Sequence, residues 1–150
     1  MGGNIALNVL RPKFEPFPVP VVGVMLDSPA LDWRDTIRWQ GQRYGLPKFL
    51  AKHVGHFTQW VVTRRSGQNF DEVDQIAAAP RFRVPMLLWH GTRDRTIPIA
   101  QAEAFAAARP DLVEFHRVEG AKHIRTWNIS PKKYDEQLEA FVARVLGREG

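Results

Sequence analysis

Two short apolar runs, residues 21–26 and 84–89, constrain this chain more than any other feature of its sequence. Neither alternates with polar residues, as a half-exposed strand would. Unbroken runs of this length, rich in branched side chains, belong to strands buried on both faces of a parallel sheet. Residues 112–118 alternate and read as a third strand. Helical patterns fill the intervals. Residues 35–44, 47–63, 71–79, 97–109 and 131–146 are expected to be helices, the last capped by Ser130. Residues 5–10 suit a turn or more of helix closed by Pro12, and 13–20 is a Pro-rich loop. Alternating strands and helices argue for an α/β fold with about three parallel strands flanked by helices. Residues 32–80 are too long for a simple crossover, so a helical insertion is expected there within one domain.

Composition removes several function classes. There is no cysteine among the 150 residues, so disulfides, thiolate metal sites and a cysteine nucleophile are excluded. The net charge of +5 is spread evenly: residues 1–75 hold 9 basic and 7 acidic side chains, and 76–150 hold 12 and 9. A nucleic-acid footprint concentrates on one arm or face, so no nucleic-acid partner is expected. No apolar stretch approaches the ~20 residues of a membrane span. The start, Met1-Gly2-Gly3-Asn4, lacks the charged region and apolar core of a signal peptide. It reads as cytoplasmic, and leaves the compartment of a longer parent undefined.

The second strand runs into His90-Gly91-Thr92-Arg93-Asp94-Arg95-Thr96-Ile97-Pro98. An acid just beyond the carboxyl end of a parallel strand lies where α/β folds keep their sites. Such a carboxylate can accept the Nδ1 proton of a histidine and fix its tautomer. Taken alone, Asp94 is equally a turn or cap residue. The third strand is followed by Glu119-Gly120-Ala121-Lys122-His123. A histidine one strand–helix–strand unit beyond Asp94 is placed to meet it and to act as general base and then acid.

Other residues read more plainly. Ser28, followed by Pro29 and without flanking glycines, is a strand-terminating turn rather than a nucleophile. Ser66 sits at a helix end. His53 and His56 are spaced for a metal but lack an evident third ligand, so a solvated pair is the reading. His90 is expected to pack beneath the site. Arg93 and Arg95 read as solvated turn charges, with attraction of an acidic substrate as the alternative. Trp33, Trp39 and Trp60 either line an acyl or aromatic pocket or form the insertion's small core.

Residues 90–98 follow the pattern His-Gly-x-x-Asp-x-x-(Ile/Val)-Pro throughout, and His123 follows the small residues Gly120 and Ala121. In these motifs the chain resembles the α/β-hydrolase superfamily, in its serine esterase and serine-peptidase-like branches. The resemblance extends over essentially the whole chain, as the family's carboxy-terminal part. It implies a parent that hydrolyses an ester, thioester or amide through a Ser-His-Asp triad, with His123 relaying the proton and Asp94 orienting it. It implies no metal or organic cofactor, a small ester or amide substrate, and a helical cap over residues 32–80. The family's elbow reads Gly-x-Ser-x-Gly, and Met1-Gly2-Gly3 matches it from the residue after the serine onward. The serine is thus expected just upstream of Met1, whose backbone N–H would join the oxyanion hole in an extended chain. The rival expectation is a non-catalytic binding or scaffold half that pairs through its sheet edge.

Overall fold

A computed structural model describes residues 2–11, 20–67 and 69–147. Three strands, β1 (Val24–Asp27), β2 (Met86–Gly91) and β3 (Val113–Val118), form one parallel sheet in the order β1-β2-β3. In register, Leu26 stands beside Leu88 and Leu88 beside Phe115. Every residue of central β2 is buried. Its side chains alternate between two cores, as the two-residue period of a strand requires. Met86 and Leu88 face Leu7, Phe82 and Phe105, whereas Leu87 and Trp89 face Phe141. The first face is covered by α1 (Gly2–Val9) and α5 (Ile99–Ala108), the second by α6 (Pro131–Val145). This is a partial α/β-hydrolase fold.

The structure shortens two expected elements and divides one. β1 begins at Val24, three residues later than its apolar run. Val24 donates to the carbonyl of Pro85, and Pro85 has no N–H to return, so the ladder opens only at Met86. The helix expected over 71–79 is instead a 3₁₀ turn (Phe70–Val73), a single α-turn, α4 (Gln75–Ala78), and a second 3₁₀ turn (Ala79–Arg81). Asp74 is extended at the break, and its carboxylate accepts from the N–H of Ala77, which starts a new turn. α5 is also shorter than its pattern, running Ile99–Ala108.

Between β1 and that region lie α2 (Trp33–Arg43) and α3 (Lys48–Ser66), packed on each other. The Asp32 carboxylate caps α2, accepting from the N–H groups of Arg34 and Asp35. Ser130 is the N-cap residue of α6, as expected, but its side chain makes no capping bond. Only its carbonyl is used, accepting from the N–H of Tyr134, with Pro131 opening the helix. Met1 and most of the Pro-rich loop fall outside the described residues. Among those described, no helix is long and apolar enough to cross a membrane.

Candidate active site

Asp94 and His123 sit on loops that leave the carboxyl ends of neighbouring strands, β2 and β3. The loops are held together by backbone bonds. Arg93 N–H donates to the carbonyl of Ala121 at 2.9 Å, and Thr92 N–H to that of Val118 at 3.0 Å. Gly120 N–H in turn donates to the hydroxyl of Thr92 at 2.9 Å. This approach needs a residue without a side chain at Gly91, where a Cβ would fall on the Ala121 carbonyl. The glycine of the His-Gly motif thus lets the two loops close on one another.

The Asp94 side chain is wholly buried, and His123 remains 31% exposed. His123 Nδ1 lies 2.8 Å from Asp94 Oδ2. With Nδ1–H directed at the carboxylate, Nε2 is left as the basic nitrogen. No described side chain bonds Nε2. Asp94 Oδ1 accepts from the N–H groups of Thr96 and Ile97, at 2.7 and 3.0 Å. His90 lies fully buried beneath, its Nε2 3.3 Å from Asp94 Oδ2 and 3.2 Å from the carbonyl of Ile97. Burial pushes the Asp94 carboxyl up. The hydrogen bonds from His90, Ile97, His123 and Thr96 outweigh it and hold the pKa at about 2. Asp94 is therefore a fixed negative charge that orients an imidazole.

The His123 loop is pinned on its far side by Asp27 and Thr126, which sequence patterns did not single out, together with Ser28, read there only as a turn residue. Thr126 donates its hydroxyl to Asp27 Oδ2 at 2.6 Å, and Ser28 donates to Asp27 Oδ1 at 2.9 Å. The Ser28 oxygen accepts from Ile124 N–H at 3.4 Å. Ser28 and Ile124 both have positive φ, 50° and 48°. For a β-branched residue such as Ile124 this is a strained conformation. Ser28 is thus buried and spent on the clasp. The only hint in the sequence was an acid closing a strand, which is too common a feature to act on.

A cleft of about 960 Å³ opens beside His123 and is lined by Trp39 and Arg43 of α2 together with the two loops. Gln40 ties α2 to the acid loop, its amide donating to the carbonyls of Arg95 and Thr96 at 3.1 and 2.7 Å. Of the three tryptophans read as pocket lining or as the insertion's small core, Trp39 alone lines this cleft. Trp60 is exposed on α3, stacked on Phe57. His53 and His56 are exposed on the same helix, and no group of three potential metal ligands exists among the described residues. The Ser66 hydroxyl bonds back to the carbonyl of Val62 within α3. A second cavity, of about 330 Å³, lies between β3 and α6 beside Trp89 and Tyr134, away from the acid and histidine.

A parallel sheet covered on both faces, with an acid and a histidine at adjacent strand ends, is the architecture of the α/β-hydrolase superfamily in its serine hydrolase branch. Within it, the chain belongs to the prolyl oligopeptidase family, whose sequence model matches residues 22–149. Solved structures agree at the level of fold. An esterase from Pyrococcus furiosus is 20% identical, with a TM-score of 0.61, over 94% of this chain and 49% of its own. The native esterase Est2 from Thermogutta terrifontis is 22% identical, with a TM-score of 0.61, over 96% of this chain and 52% of its own. A puromycin hydrolase is 22% identical, with a TM-score of 0.62, over 97% of this chain and 21% of its own. The chain thus spans about half the length of the two esterases and about a fifth of the puromycin hydrolase.

Proposed function

We propose that this chain carries the acid and the histidine of a Ser-His-Asp hydrolase acting on an ester, thioester or amide. The observation that carries the reading is the 2.8 Å bond between His123 Nδ1 and the buried Asp94 carboxylate. On this reading His123 Nε2 takes the proton of the attacking serine and returns it to the leaving group, while Asp94 stabilises the imidazolium. In a chain extended upstream, the serine would stand just before Met1, whose backbone N–H would then join the oxyanion hole. The position of α1 supports this. Gly3 packs against Pro29 at the carboxyl end of β1, and Asn4 donates to the carbonyls of Ala30 and Val73 at 2.9 Å each. Residues 32–80 then act as the cap, with Trp39 as its contribution to the substrate pocket.

The test compares the chain as given with one extended upstream through a Gly-x-Ser elbow. Both are assayed with p-nitrophenyl acetate and a serine-reactive fluorophosphonate. The extended chain is expected to turn over and label, and His123→Ala to abolish turnover. Equal labelling of the short chain would place the nucleophile elsewhere and overturn the assignment.

A further inference from the structure

Away from the cleft, several arginines are matched with acids: Arg34 with Asp71 at 2.6 Å, Arg109 with Asp111 at 2.8 Å, Arg117 with Glu103 at 2.6 Å and Arg144 with Glu114 at 2.5 Å. Others are not, such as Arg83, which donates to backbone carbonyls, and Arg64, which lies over Trp60. The cleft differs in gathering its unmatched cations on one concave wall. Arg93, Arg95, Lys122 and Arg125 line it, all four exposed, and none has an acidic side chain within ion-pair distance among the described residues. Arg43 completes the wall, its guanidinium 5.1 Å above the ring of Trp39. These five cations come from three separate elements: α2, the β2–α5 loop and the β3–α6 loop. The one carboxylate lining the cleft, Asp94, is buried and already bound by His90 and His123. Glu119 accepts from the Thr92 hydroxyl and lines the neighbouring cavity instead.

Gathering like charges without counter-charges costs repulsion, and solvated surfaces ordinarily intersperse the two signs. A concave wall of one sign concentrates ligands of the other. Guanidinium groups in particular match carboxylates and phosphates through paired N–H donors. We propose that this cleft selects a substrate bearing an anionic group, a carboxylate or a phosphate, near its scissile ester or amide. The inference rests on the reading of the same cleft as a hydrolase site, and it adds the substrate's charge. His123 addresses the neutral reacting group, while the cations on the flanking loops hold the anion.

Binding to the chain as given tests this without requiring turnover. The isotope-labelled protein is titrated with monomethyl succinate, its neutral dimethyl ester and phenyl phosphate at low ionic strength, with the His123 ring and backbone amides followed by NMR. An anion is expected to perturb His123 and residues 93–95 and 122–125, and to bind about tenfold tighter than the diester, an advantage that salt removes. The tighter of the two anions identifies the carboxylate or the phosphate. The pair Arg93→Gln and Arg95→Gln, both exposed positions, is expected to abolish the preference while the remaining spectrum is unchanged. Equal affinity for monoanion and diester, or a preference untouched by these substitutions, overturns the proposal. The hydrolase reading fails separately. Anion-selective binding in an extended chain that never hydrolyses removes the activity and keeps the site, whereas hydrolysis indifferent to charge does the reverse.

Discussion

At the scale of single residues, Asp94 decides the most. It is a buried carboxylate whose charge is held by four hydrogen-bond donors, with a pKa of about 2 against an ordinary 3.8. The depressed value means that the unfolded chain binds the proton more readily. Asp94 therefore stabilises the fold fully above about pH 4, and this contribution is lost as pH falls through about 2, a change of about 2 kcal/mol. Chemical denaturation between pH 5 and 2 should show the loss, and Asp94→Asn should flatten that part of the profile. An unchanged slope in the variant would assign the acid sensitivity to other carboxylates, Glu114 among them, whose pKa is also lowered.

At the scale of elements, the His123 loop depends on the end of β1. Thr126 is buried, and its hydroxyl ties the loop to Asp27. Thr126→Val keeps the shape and removes the bond, leaving a carboxylate oxygen short of a partner. The expected cost is about 1–2 kcal/mol of stability. In an extended, active chain the same change should lower kcat more than it raises KM, because it disturbs the aim of His123 rather than the walls of the cleft. The opposite split would mean that the clasp shapes binding. The second element of interest is α3. Only Ala51 and Gly55 of its nineteen residues are buried, while Phe49, Val54, Phe57 and Trp60 are exposed. A helix so weakly packed opens at little cost. Amide exchange in Lys48–Ser66 is expected to run at least ~100-fold faster than in Met86–Gly91, and equal protection would show that α3 has a partner.

At the scale of the whole molecule, β2 is enclosed while β1 and β3 are both edges, each pairing only with β2 among the described residues. The β1 edge is the more apolar, with Met25 48% exposed on it. An unpaired edge with apolar side chains is a template for another strand. The chain is expected to self-associate as its concentration rises, and Met25→Lys to shift the equilibrium toward monomer in sedimentation velocity. A wild-type chain that stays monomeric at high concentration would count against the edge as a contact surface.

The strands, their parallel order and the placement of Asp94 and His123 were legible in the amino-acid sequence, because each is specified locally. A strand covered on both faces, as β2 is, needs an unbroken apolar run, and each loop carries its own turn chemistry within a few residues. The run at 21–26, expected to be buried likewise, instead forms a short edge strand on which Met25 is exposed. The single strand–helix–strand unit between the two loops then brings their side chains together. Tertiary structure decided what depends on residues far apart. The Asp27–Thr126 clasp joins positions 99 apart in sequence. Trp39 reaches the cleft, and Trp60 does not, because α2 rather than α3 rests on the acid loop. Charge gives the sharpest case. Counted along the chain, the cations are evenly spread, yet folding brings five of them from three elements to one wall. Local propensity sets which segments become helices and strands, but the packing of those segments against each other sets which charges end as neighbours.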